Sequence, residues 1–539
     1  MISIFNKLLR IYKFLQLKLE DKYNNKEFKG EDDLLADNID DIKITLEKYF
    51  SECSDFNFRE VVLNRNIKSN KTSKTTILIA YIDGLINKDL VNRDILKPIM
   101  QEVKGDESEL SIDTVSYLKE KVLSISELTE VIKFKQAVNL ILSGDTLIFI
   151  DGKRVALKVG TRGWETRGVE EPSTEVVVRG PREGFTETLR TNTALLRRRI
   201  KNPNLKFEMM TLGKQTNTDI CICYIKNLIH EDIIKTLRRR LKKINTDAIL
   251  ESGYVEEFIE DAPFSIFSTV GNSEKPDVVA GKILEGRAAV LCDGTPFVLT
   301  VPHLFIETLI SAEDYYSRPY IATLIRWLRI LAFFITVSLP AYYVASVAFH
   351  QDVIPFKLLL TIVQSREGIP FSVFTETLLM AITYELLREA GVRMPRPIGQ
   401  AVSIVGALVL GQAAVDSGIA SNPVIMVTAI TAITSFILPP LRGTVPFLRL
   451  FLLFAANIIG YMGILVIFII IYIHMCTLRS FGVPYMAPFS PLYGMDLKDT
   501  FIRVPLWSMW LRPRSLMLDH QAYVKKGFRM KKDIKTKED

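Results

Sequence analysis

The pattern of apolar and polar positions changes character most sharply near position 325. Up to Ile325, short apolar words alternate with charged ones, as in a soluble domain of strands and amphipathic helices. From Trp327 to Cys476 long apolar runs dominate, and charge returns from Arg512 onward. Within the first part, Thr75–Ile82 (TTILIAYI) predicts a buried strand closed by the turn signal Asp83-Gly84. Ser126–Leu142 has helical periodicity, with Ser126 as N-cap. Asp145–Ile150 and Val155–Val159, separated by Asp151-Gly152, predict a hairpin. Glu175–Val178 predicts a strand and Thr186–Ile200 a helix. Leu205–Leu212 and Thr218–Ile225 predict two strands, His230–Ile244 a helix and Ala288–Leu291 a strand. Strands and helices mixed without regular βαβ alternation imply an α+β two-part soluble N-terminal domain, followed by an all-α helical transmembrane domain. The expected divisions are a polar tail over 1–40, α/β subdomains over 41–152 and 153–320, a transmembrane domain over 321–480 and a basic tail over 481–539.

The apolar block predicts membrane spans at Trp327–Phe349, Ile398–Ala420, Val424–Leu438 and, longest, Phe447–Met475. Phe371–Leu387 carries Glu376 and Glu385 among apolar residues, and so lies at the interface or lines something wet. No signal peptide is recognised, which puts the first part in the cytoplasm. The basic tail (Arg512, Arg514, Lys525, Lys526, Arg529, Lys531, Lys532) favours the same side, hence an even number of spans. Four spans leave Arg388, Arg393 and Arg396 outside, whereas five misplace the tail, so the pattern leaves both open.

Charge changes the picture little. The net charge of +7 comes from short clusters such as Arg197-Arg198-Arg199 and Arg238-Arg239-Arg240, read as solvated helix faces or contacts to headgroups or a partner, not as a nucleic-acid surface. The five cysteines do not have zinc-site spacing, although Cys221 and Cys223 share one strand face. The histidines are scattered, and no nucleophile elbow or phosphate loop is present. The expectation is therefore no catalytic residue, no cofactor and no metal.

The most distinctive stretch is Gly163–Phe185, GWETRGVEEPSTEVVVRGPREGF. It interleaves opposite charges with Gly and Pro turns, which suits either an ion-paired structural loop or a contact between subunits in which Arg167, Glu170, Glu171, Arg179 and Glu183 fix register. This stretch resembles the signature region of GerA-type spore germination receptor A subunits. So do SGDTLIFIDG (143–152), NTALLRRRIKNPNLKFEMMTLGKQTNTDICICYI (192–225), DGTPFVLTVPHLFIETLISAEDYY (293–316), LLREAGVRMPRPIGQAVSIVGALVLGQAAV (386–415) and LRSFGVPYMAPFSP (478–491). The resemblance runs in order over about residues 40–500.

It implies a multi-pass protein of the spore inner membrane with its N-terminal domain in the cytoplasm. It further implies a role in nutrient detection beside a permease-like B subunit and a lipoprotein C subunit. Copies of the chain are expected to form a homo-oligomeric ring in membrane lipid, conducting monovalent cations. A regulated transporter and a non-transporting scaffold are the alternatives. Ile398–Ala420 is the expected pore-lining helix. At about 100° per residue Val402, Val405, Val409, Gln412 and Asp416 fall on one stripe, apolar first and polar last. The other reading is a tightly packed bundle helix with Asp416 at its wet end.

Overall fold

The structure, a computed structural model, describes residues 34–66, 72–100, 103–104, 113–125, 127–163, 172, 175, 177–393, 409–494, 496–509, 512–513 and 516. The apolar word at Thr75–Ile82 becomes the middle of β2 (Thr72–Ile82), paired antiparallel with β1 (Phe56–Asn66) so that Phe56 faces Ile82. Its side chains are buried on both faces. Leu78 and Ala80 pack with α1 (Ile39–Tyr49) and α2 (Phe134–Ile141), while Ile77 and Ile79 meet Val91, Ile95 and Leu118. A strand covered on both faces needs a continuous apolar run rather than an alternating one. With β3 (Val103–Lys104), β4 (Leu128–Val131), β5 (Thr146–Ile150) and β6 (Ala156–Val159), the sheet has six strands in the order β3-β1-β2-β5-β6-β4.

The Asp151-Gly152 hairpin forms as expected, Phe149 facing Ala156. Its second strand therefore stays in the first sheet, past the expected division at 152. The helix expected from Ser126 begins only at Phe134. Leu128–Val131 is instead an edge strand on β6, because a free strand edge there offers backbone partners that a helix start would forgo.

A second sheet, β7-β8-β10-β11-β9, is antiparallel throughout. It comprises β7 (Leu205–Leu212), β8 (Thr218–Ile225), β9 (Gly271–Ser273), β10 (Ala288–Cys292) and β11 (Val298–Val301). Cys221 and Cys223 share one buried face with α3 (Leu189–Arg199) and α6 (Pro276–Leu284); Ile220 and Ile222 turn the other way, towards α4 (Glu231–Lys243) and α5 (Ser252–Ile259). Burial raises both thiols above the ordinary range, so they are inert packing groups. The strand expected at Glu175–Val178 is not found among its described residues. Glu175 is a bend residue whose carboxylate accepts from Ser273 Oγ at 2.6 Å.

The arginine runs are solvated only in part: Arg239 is exposed, whereas other members are buried or paired. Arg197 is fully buried, donates to both oxygens of Asp55 at 2.8 and 2.9 Å, and reaches the Asn202 and Leu205 carbonyls. Asp55 belongs to the first subdomain, so this pair joins the two sheets' layers. Arg190–Asp83 adds a second ion pair across the same seam. Arg238 is likewise paired, with Glu208.

Beyond the second sheet the chain becomes helical: α7 (Pro319–Ala348), α8 (Phe356–Ser365), α9 (Val373–Arg393), α10 (Gly411–Asp416), α11 (Asn422–Ser435), α12 (Thr444–Ile459) and α13 (Tyr461–Thr477). Among the described residues, α7 alone is long and apolar enough to cross a membrane, while α8, α11, α12 and α13 are shorter apolar helices. The run expected as one span at Phe447–Met475 is broken at Gly460, whose φ of +64° and ψ of −138° suit glycine. A Cβ on Gly463 would collide with the Ala455 carbonyl. In an unbroken helix those residues would lie about 12 Å apart, so α12 and α13 form a hairpin. Both its ends return to the soluble domain: Thr444 Oγ1 donates to the Ile266 carbonyl at 2.7 Å, and His474 Nε2 lies 3.0 Å from Ser265 Oγ. Its apex meets the far end of α7, where His350 stacks on Tyr461 and Ser346 bonds its hydroxyl.

Candidate functional site

The expected pore stripe is placed in part. Val402 and Val405 lie outside the described residues. Val409, Gln412 and Asp416 are all exposed, and Gln412 Nε2 donates to Asp416 Oδ1 at 2.9 Å, the i to i+4 spacing of one helix face. Val409 is 55% exposed, so it is not a packing residue of its own chain. Gly411, on the other side of α10, is buried against Ile425 of α11. The described part of the stripe thus faces away from the bundle.

Behind α10 lies a buried carboxylate. The helix α9 is inside out: its buried residues are Val373, Glu376 and Thr377, while Leu379, Ile382, Leu386 and Val392 are exposed. Glu376 Oε1 accepts from both the backbone N–H and the hydroxyl of Ser421 at 2.5 Å, at the start of α11. Oε2 has no hydrogen bond, and the nearest cation, Arg366, is 3.5 Å away with its own Nε unpartnered. The Tyr343 hydroxyl is also without a partner. A buried ionisable residue in an apolar block marks a functional position by default.

The third feature is the joint between the two-sheet domain and the helices. At its second-sheet side, Glu307 accepts from Arg287 at 2.7 Å, with Lys282 and His303 each at 3.3 Å. Burial pushes the Glu307 carboxyl up, but Arg287, Lys282 and His303 outweigh it and hold it well below the ordinary range. Burial pushes the His303 ring below its ordinary value against the pull of Glu307. The segment after α13 locks in here. The His303 N–H donates to Ser480 Oγ at 3.0 Å, Ser480 donates to the Thr269 carbonyl, and the Phe305 N–H donates to the Tyr485 carbonyl.

At the foot of α7, Arg326 is buried between Asp314 (2.9 Å) and Asp499 (2.9 Å), and Arg329 also pairs with Asp314. Trp327 Nε1 donates to the Phe501 carbonyl, and Tyr315 donates to Asp499. The described residues of 478–509, expected to fall mostly in a tail, are therefore structural parts of the joint. The pattern missed them. Arg326 and Arg329 inside an apolar run were the available signal, since charges there must find partners.

The expected subunit-contact residues divide. Arg167, Glu170 and Glu171 lie outside the described residues, and Arg179 is exposed. Glu183 is engaged within the chain, at 3.3 Å from Arg198 and 2.9 Å from Arg199. No group of residues suited to holding a metal ion occurs among the described residues.

An α/β domain of two sheets, locked by buried charges to an apolar helical block, defines the class. The chain matches the Bacillus/Clostridium GerA spore germination protein family over residues 44–515. It is 45% identical to Spore germination protein KA of Bacillus subtilis (strain 168), over 84% of this chain and 83% of that protein. It is 40% identical to the uncharacterized membrane protein YfkQ of the same organism, over 89% and 90%. A crystal structure of the N-terminal domain of the A subunit of the Bacillus megaterium spore germinant receptor GerK3 matches at 30% identity with a TM-score of 0.39, over 51% of this chain and 98% of that one. The chain belongs to the GerA family of spore germination proteins.

Proposed function

We propose that this chain is the A subunit of a spore nutrient germinant receptor, embedded in the inner membrane with the two-sheet domain in the cytoplasm. Copies assemble into a ring around a cation path that opens on nutrient detection, beside a permease-like B subunit and a lipoprotein C subunit. The helix ends support a multi-pass arrangement. α7 leaves the soluble domain, and α9 returns from the Glu376 end to the Arg449 end. Gly418 again lies near Gly368, at the Glu376 end. α11 then returns, and the α12–α13 hairpin goes out and back. With α7 and α12 running outward and α9, α11 and α13 inward, Arg388 and Arg393 fall on the domain side. The shorter helices, at about 21–26 Å, fit a bilayer locally thinned around the ring.

The observation that carries the pore reading is the exposed face of Val409, Gln412 and Asp416. A polar pair turned outward from an apolar bundle is costly against lipid and suited to a shared aqueous path. The test is cation efflux from proteoliposomes containing the receptor subunits. Asp416→Lys is expected to cut nutrient-stimulated potassium efflux severalfold at unchanged protein level. Efflux equal to the unaltered protein would remove α10 from the pore.

A further inference from the structure

A cavity of about 470 Å³ opens between α9 and α12. It lies at the end of the bundle nearest the soluble domain, two residues from the Thr444 contact to Ile266. Its walls are of two kinds. Ile382, Leu386, Phe447 and Leu450 make an apolar trough along the helices, all four of them exposed. Arg388, Arg442 and Arg449 gather at the polar end around Glu385.

The charges there do not balance. Glu385 is shared by Arg388 at 2.6 Å and Arg449 at 3.2 Å, while exposed Arg442 makes no ion pair among the described residues. Glu389, also on the wall, is taken by Arg393 at 2.7 Å. Arg449 is 4% exposed, donates through Nε to the Thr336 carbonyl, and has no partner for Nη2. A buried guanidinium N–H without an acceptor is a donor awaiting a ligand. An apolar trough that ends in surplus arginines fits one amphiphile with an anionic head. Basic pockets between membrane helices on the cytoplasmic side hold such headgroups.

We propose that this cavity binds an anionic phospholipid, its phosphate on Arg442 and Arg449 and an acyl chain along Ile382, Leu386, Phe447 and Leu450. The proposal rests on the reading of the helical block as a membrane domain. The bound lipid supplies the acceptor that Arg449 lacks and bridges α9 to α12. It makes the position of the Glu376-bearing helix sensitive to the charge of the inner leaflet.

The test reconstitutes the full chain in phosphatidylcholine vesicles containing phosphatidylglycerol, followed by native mass spectrometry of the extracted protein. The unaltered chain is expected to retain phosphatidylglycerol over phosphatidylcholine. Arg442→Gln is expected to lower that preference roughly fivefold. Glu385→Gln, which removes the competing anion, is expected to raise it, a sign that a merely structural role would not give. Equal retention of both lipids overturns the proposal. So does displacement of phosphatidylglycerol by millimolar inorganic phosphate, which would mark a free-phosphate site. Variants that leave lipid preference unchanged but alter oligomer mass would make the trough an interface between copies, and would also overturn it. A chain that never enters the vesicles removes the membrane reading as well, whereas one that enters without preference removes this proposal alone.

Discussion

Asp55 and Glu376 are both carboxylates buried beside an arginine, one in the soluble half and one in the helical block. Asp55 uses both oxygens on Arg197, and the remaining guanidinium donors reach two carbonyls. Glu376 spends one oxygen on Ser421 and leaves the other without a hydrogen bond, 3.5 Å from Arg366. A saturated network specifies one arrangement, because every alternative strands a charge. An unsaturated one loses little on rearranging, and can favour another state when a neighbour moves. The Arg197–Asp55 pair therefore holds the two subdomains in one arrangement, whereas the Glu376–Arg366 contact costs little to rearrange.

The largest expected effect comes from breaking the saturated pair. Arg197→Met leaves Asp55 charged, buried and alone, and is expected to destabilise the protein by about 3–5 kcal/mol. Thermal melting of the full chain in detergent should show it, with Asp55→Leu in the same chain recovering most of the loss. An unchanged melting temperature would mean that the pair does not hold the subdomains together. In contrast, Glu376→Gln keeps an acceptor for Ser421 and gives up only the loose contact to Arg366. It is expected to cost about 1 kcal/mol or less in the same assay, and a loss matching that of Arg197→Met would erase the contrast.

The smallest effect lies in the joint between the two regions. His303 is held below its ordinary pKa by burial, so its contribution to stability is complete above about pH 6.5 and falls as the pH drops towards its folded value. Glu307, held low by its cations, contributes fully above about pH 4.5 and is lost only further down. Between pH 7 and 5.5 the melting temperature of the unaltered chain is thus expected to fall more steeply than that of His303→Gln. Parallel curves would exclude His303 as the source.

What the sequence showed follows from how local each signal is. β7 and β8 match their expected limits because two apolar strands around a short polar turn carry their own register. The edge strand Leu128–Val131 and the break at Gly460 depend on partners far along the chain, a free edge on β6 and the packing of Gly463 on Ala455. Periodicity cannot report either. The arginine run at 197–199 reads as surface because three adjacent cations seldom have a buried member. Only the approach of Asp55, 142 residues away, reverses that. Of the candidate pore stripe, the common face of Val409, Gln412 and Asp416 was legible from spacing, but not its exposure, because a packed bundle helix has the same spacing. The buried charges of the joint were not, since their partners come from three separated segments.

The proposed gating face runs from Val409, just before α10, to Asp416, and Val409→Ala tests it most directly. Val409 is more than half exposed in its own chain. Its truncation should therefore open little internal cavity, unlike a buried valine, where a large-to-small change costs on the order of 1–3 kcal/mol. Spontaneous germination and protein abundance are measured together in spores carrying Val409→Ala. The account predicts normal abundance with germination and potassium release in the absence of nutrient. Reduced abundance with no release would contradict it.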